Sequence, residues 1–199
     1  VLCAKIEGLE LAYEKSRVKN LNGHLALNVA NGKSVFSLKQ SVDEISIPDT
    51  KIKDIRFLLT NEFFVDNLLQ SYSDKQTPFH FKANTTLSTN VINIANAQLD
   101  KFRLENETQI PLAFIIEDNP SQSLENSTKI NIENIKADVL KLRSISNETD
   151  IVLSDKTLQK AQALMRTRLT RIRISGPTPL KLAFIDCTLP AQKNALSLK

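Results

Sequence analysis

Two histidines, two cysteines and one run of arginines are the residues from which chemistry would have to be built in this 199-residue sequence. His24 and His80 alone could supply the usual base for a serine or cysteine nucleophile. Each falls in a stretch of alternating polar and apolar residues, where a histidine is a packed or solvated bystander of a strand. No GxSxG, HExxH, P-loop or GxGxxG pattern occurs, and four scattered glycines cannot cradle a phosphate. The carboxylate pairs Asp43-Glu44 and Glu117-Asp118 are sequence neighbours. On a strand they would point to opposite faces and could not act on one bond. The expectation is a protein that is not an enzyme and has neither cofactor nor metal site.

Cys3 and Cys187 lie near opposite ends, without the CxxC spacing of zinc or redox sites. In an oxidising compartment they could form a disulfide closing a long loop, or they could be two separate thiols. Both readings stay open. Arg166, Arg168, Arg171 and Arg173 are the one local concentration of positive charge in a chain of net charge +4. Elsewhere acids and bases are interspersed, Trp is absent and no aromatics interleave with the basic residues, so nucleic acid is a poor candidate partner. The four arginines could form a solvated helix-to-strand face or contact acidic lipid headgroups, and both readings stay open. Asn-x-Ser/Thr sequons occur at Asn84, Asn106, Asn126 and Asn147, but with 17 asparagines a comparable number arises by chance, and no glycoprotein is inferred.

The elements that must position these residues announce themselves through period-two alternation. Leu21, Leu25, Leu27 and Val29 alternate with polar or small residues and lead into Asn31-Gly32, a strong hairpin signal. Similar runs recur along most of the chain and add up to about a dozen short strands, one of them through Ile110, Leu112, Phe114 and Ile116. Short turns between strands imply antiparallel pairing, because parallel pairing needs long crossovers. Two segments have helical spacing instead: Thr60–Tyr72, with Phe64, Leu68 and Tyr72 on one side and Thr60 or Asn61 as cap, and Ser154–Arg166, with Leu158, Ala161 and Met165. Each follows a strand and leads into another. The chain is therefore expected to be a single mainly-β domain over 1–199, with two related units, about 1–117 and 128–199, joined by the polar loop 117–127.

No run of residues is long and apolar enough for a membrane-spanning helix. The start, Val1-Leu2-Cys3-Ala4-Lys5, has neither a methionine nor the pattern of a signal peptide. The expectation is a piece of a longer protein, with any anchor outside it.

Phrases such as Val18-Lys19-Asn20-Leu21-Asn22-Gly23-His24-Leu25-Ala26-Leu27 and Ile52-Lys53-Asp54-Ile55-Arg56-Phe57-Leu58-Leu59 are long, glycine-poor, Asn- and Lys-rich amphipathic strands. In this texture the chain resembles the AsmA-like proteins of Gram-negative bacteria, and their YdbH branch in particular. The resemblance implies an elongated, curved antiparallel sheet, a β-groove, held in the periplasm by an inner-membrane anchor and carrying phospholipid between membranes. It carries over no catalytic set. In such a groove Phe57, Phe79, Phe81, Phe102, Phe114 and Phe184 would contact acyl chains, and the partners would be phospholipid or another apolar ligand, together with envelope proteins. A closed β-sandwich would instead bury the same phenylalanines and recognise proteins through loops or an edge strand, as adhesins and secretion-system components do.

Overall fold

The computed structural model describes residues 1–74, 79–118, 121–154, 161–175 and 180–192. They form one open ten-stranded antiparallel sheet with the strands side by side in sequence order. The strands are β1 (Leu2–Tyr13), β2 (Ser16–Ala30), β3 (Lys33–Ile47), β4 (Thr50–Phe64), β5 (His80–Ile94), β6 (Ala97–Pro111), β7 (Leu124–Ala137), β8 (Leu140–Leu153), β9 (Ala161–Ile174) and β10 (Leu180–Gln192). Two short helices, α1 (Val65–Ser73) after β4 and α2 (Leu112–Ile116) after β6, lie in connections at the same end of the sheet. The expected mainly-β antiparallel sheet is therefore present. A second sheet layer is absent among the described residues, so the architecture is not a closed sandwich.

The Asn31-Gly32 hairpin forms as its residues require. Both residues are left-handed, with φ of 50° and 73°, the pair of conformations whose twist matches that of the flanking strands.

The strands are fewer and longer than the alternation suggests, for one physical reason. Asn20, Asp54, Lys101, Asn134 and Arg171 have φ between 50° and 54° inside β2, β4, β6, β7 and β9. They stand at one level: in the register, Asn20 and Asp54 fall in line with Asp43 of β3, and Asn134 and Arg171 with Arg143 of β8. A left-handed residue inside a strand disturbs the pleat as a bulge does, and the apolar side chains resume one position late. Hence β4 carries Ile52 and then Ile55, β7 Ile132 and then Ile135, and β9 Leu169 and then Ile172; β8, which has no left-handed residue, keeps step with Leu142 and then Ile145, the register partners of Ile135 and Ile132. All of the β7–β9 residues pack in one cluster around buried Ile135, Leu142 and Ile172. The apolar face thus runs unbroken through a transverse crease, and the apparent ends of short strands are this slip.

Three local expectations are corrected. Leu112–Ile116 is helix rather than strand: Leu112 N–H still donates to Phe79 O at 2.8 Å, in register with His80 and Pro111, and beyond that bond the chain leaves the sheet, with Pro111 at the helix's cap position. The expected helix Ser154–Arg166 is not one, since Ala161–Arg166 belongs to β9, hydrogen-bonded between β8 and β10; residues 155–160, with Leu158, lie outside the described residues. Helix α1 exists but starts at Val65. Thr60–Phe64 extends β4 against β3, so neither Thr60 nor Asn61 caps it, and Phe64 occupies the cap position without a side-chain bond. The polar connection between the expected units ends at Ser123, because Leu124–Ser127 already pairs in β7.

Candidate functional site

Register assigns the side chains to two faces. On one, Leu25, Leu38 and Leu59 are successive partners across β2–β4, and Phe57, Leu87, Leu104 and Ile130 across β4–β7. On the other are Lys82, Glu107, Lys129, Glu148, Arg166, Arg168 and Asp186, joined in ion pairs: Lys82–Glu107 at 2.6 Å, Lys129–Glu148 at 3.1 Å, Arg166–Glu148 at 3.4 Å and Arg168–Asp186 at 3.2 Å. Only six hydrophobic side chains are buried among the described residues, most of them beside the crease. The accessible surface is 13564 Å², whereas a compact monomer of this size exposes roughly 9,400 Å². The excess is that of one sheet with both faces open.

Of the six phenylalanines singled out, Phe57, Phe81 and Phe102 lie half-buried on the apolar face. Phe79, only 7% exposed, is packed edge to face between Phe63 and Phe81 and is a core residue rather than a contact surface. Phe114 sits in α2. Phe184 is on the charged face, opposite Thr170 and under the Arg168 guanidinium 5.4 Å from its ring centroid, so its assignment to the apolar surface is corrected. The alternation of β10 places Ile185 and Cys187 on the apolar side instead.

Cys3 and Cys187 are free, exposed thiols on the two edge strands, with eight strands between them, and the disulfide reading is corrected accordingly.

The sequons have a structural explanation. On a strand, Asn and Thr two apart share a face; those at Asn106, Asn126 and Asn147 share the apolar one, whereas Asn84 and Thr86, opposite Glu107 and Glu105, lie on the charged face. Asn106 Nδ2 donates to Thr128 Oγ1 at 2.8 Å, Thr128 to Asn126 Oδ1 at 3.1 Å, Asn126 Nδ2 to Thr108 Oγ1 at 2.7 Å, and Thr108 to Asn106 Oδ1 at 2.9 Å. The four side chains close a ring in which every hydroxyl both donates and accepts. Asn147 Nδ2 to Thr167 Oγ1 at 2.8 Å and Thr149 to Asn147 Oδ1 at 3.0 Å continue the motif on β8 and β9. A polar belt, satisfied within itself, therefore crosses the otherwise apolar surface. The repeated Asn-x-Thr at matched strand positions was its signal in the sequence.

The four arginines divide. Arg166 and Arg168 are in ion pairs on the charged face; Arg171 and Arg173, past the crease, have no acidic partner among the described residues. Their spacing of two, three and two is the crease written in cations, since the slip keeps all four on one side. A depression of about 650 Å³, lined by Lys5, His24, Lys39, Arg56 and Arg103 and bordered by Phe57, opens on the charged face. Near the crease, Glu44 receives Lys51 at 2.8 Å and Lys19 at 3.1 Å, which together lower its carboxyl to about 2. Lys82, assisted by Gln109, likewise lowers Glu107. Both carboxylates are fixed in the charged state, which suits structural ion pairs and not proton transfer. Among the described residues no group of three or more His, Cys, Asp or Glu could hold a metal, and no helix is long and apolar enough to cross a membrane.

Comparison with protein-family models, with curated proteins and with solved structures finds no match to this chain.

Proposed function

We propose that this chain binds lipid along the apolar face of its sheet, as a β-groove segment of a periplasmic, inner-membrane-anchored envelope protein that conducts phospholipid between membranes. The observation that supports this reading most is a ten-stranded apolar surface with no second layer to cover it among the described residues. Exposed apolar area of this extent is costly in water and is a mark of ligand or partner contact. Phe57, Leu87, Leu104 and Ile130 offer a transverse track for an acyl chain. The Asn/Thr belt beside it supplies hydroxyl and amide groups for the ester region of a lipid. Native mass spectrometry of the purified protein, followed by organic extraction, tests the proposal. Phospholipid in a defined ratio, lost in folded Phe57→Asp and Phe81→Asp variants, is the expected result; an apo mass from lipid-rich cells overturns it.

A protein-recognition reading has its own support in the edges. Every residue of β1 is exposed, and both β1 and β10 leave one side of the backbone unpaired. Such edges accept an added strand. Protection of β1 and β10 amides in hydrogen exchange, appearing with a protein partner but not with lipid vesicles, would favour that reading.

A further inference from the structure

Past the crease, register brings together four cations that are scattered in the sequence. Lys136 pairs with Lys141, Lys141 with Arg173, and Arg173 with Lys181, so the four stand side by side across β7–β10. At the spacing of neighbouring strands this row is about 15 Å long. All four are exposed, and none makes an ion pair among the described residues. Arg143 and Arg171 stand one step behind, lining with Arg168 a depression of about 630 Å³. The nearby acids are engaged elsewhere: Glu133 with Lys101 at 3.3 Å, Asp186 with Arg168, and Asp138 accepting from Asn96 Nδ2 at 3.4 Å.

Like charges placed directly opposite one another cost folding stability. Outside this corner of the sheet no Lys or Arg has another Lys or Arg as its register partner, and several meet a neighbouring strand's acid instead, as Lys82 meets Glu107 and Lys129 meets Glu148. Here the cost is left standing, which points to an anionic partner outside the chain.

The next row identifies its kind. Leu140, Ile174 and Leu180 are register partners one position beyond the cations, at the rim of the sheet. Val139, 56% exposed, projects from the β7–β8 turn, and its carbonyl accepts from Ser175 N–H at 2.8 Å, joining the two turn regions into one edge. Ile174 and Leu180 are exposed as well. An apolar rim backed by a row of unpaired cations matches the two layers of a membrane surface, acyl boundary and anionic headgroups. A soluble polyanion would have no use for the rim.

We propose that this rim docks onto the surface of an anionic bilayer, with Lys136, Lys141, Arg143, Arg171, Arg173 and Lys181 against the headgroups and Val139, Ile174 and Leu180 entering the interface. The docking does not depend on lipid held along the apolar face, and the two fail separately. Flotation with phosphatidylcholine vesicles containing about a third phosphatidylglycerol should carry the protein at low salt, and pure phosphatidylcholine should not. Replacing Lys136, Lys141, Arg173 and Lys181 by Gln should weaken binding roughly tenfold or more, while replacing Arg17, Lys39, Lys53 and Arg56 by Gln, the same change in net charge on distant strands, should leave most of it. Val139→Ser with Leu180→Ser should weaken it severalfold without changing the charge. Equal loss from both charge sets, absence of binding by the wild type, or polyglutamate binding that matches the vesicles and ignores the Val139 and Leu180 changes would each overturn the proposal. Phe81→Asp should float normally, which separates this result from the groove reading.

Discussion

Ile132 and Ile135 are three residues apart on one strand and yet pack in the same apolar cluster. Strict alternation would put them on opposite faces. The left-handed Asn134 between them supplies the missing step, and equivalent steps at Asp54 and Arg171 carry the crease across the sheet.

The cluster is the best-buried part of the molecule, so its loss should be felt most. Ile172→Ala is expected to lower stability by about 2–4 kcal/mol. Leu189→Ala, at a position 56% exposed on β10, should change it by no more than about 0.5 kcal/mol. Urea denaturation of both variants checks the contrast.

At Arg171 the backbone conformation, not the side chain, sets the preference. Arg171→Val should be less stable than Arg171→Gly by about 1–2 kcal/mol, because a β-branched residue resists positive φ. At Arg143, in line with it on β8 but without positive φ, the order should reverse, Val exceeding Gly as it does inside ordinary strands. Thermal melts of the four variants decide; the same order at both sites would mean that the crease has no backbone basis.

Opening the Asn/Thr ring leaves polar atoms without partners. Thr108→Val keeps the shape but removes one acceptor and one donor, stranding Asn126 Nδ2 and Asn106 Oδ1. A loss of about 1–3 kcal/mol is expected. Once the ring is open, Thr128→Val should cost less than it does alone, and a double-mutant cycle measures that coupling.

Glu44 gives the acid limb a definite window. Its folded-state carboxyl is lowered from 4.5 to about 2, chiefly by Lys51 and then Lys19. A depressed acid contributes stability above its unfolded value and loses it as the pH falls toward the folded one. Between pH 4.5 and about 2 the wild type should therefore lose stability more steeply than Glu44→Gln. Matching slopes in acid titrations of the two proteins would remove this role.

The sheet itself was legible because alternation and short turns report local geometry, and Asn31-Gly32 encodes its own backbone. The crease was hidden because Asp54, Lys101 and Arg171 adopt left-handed φ without a glycine to mark it. The helix expected at 154–166 rested on Leu158, Ala161 and Met165. The alternation of Ala163, Met165, Thr167 and Leu169 was equally present there, and pairing with both β8 and β10 selected it. Phe184 was misassigned because the crease also slips the alternation of β10, where Leu182 and then Ile185 stand opposite Ile172 and Leu169. The row from Lys136 to Lys181 exists only in the register, as none of its members is near the next in sequence except across a turn.

Flat amphipathic strands have a known weakness: sliding one past another by two residues restores every apolar side chain to the same face, so hydrophobicity alone does not oppose it. Here the slide would carry the left-handed residues of one strand away from those of its neighbours and set the late phase of β7 against the early phase of β8. The crease thus works like the key of a lock, adding to a two-residue slide a local mismatch that plain alternation would not oppose, and so favouring a single alignment of a long, repetitive sheet.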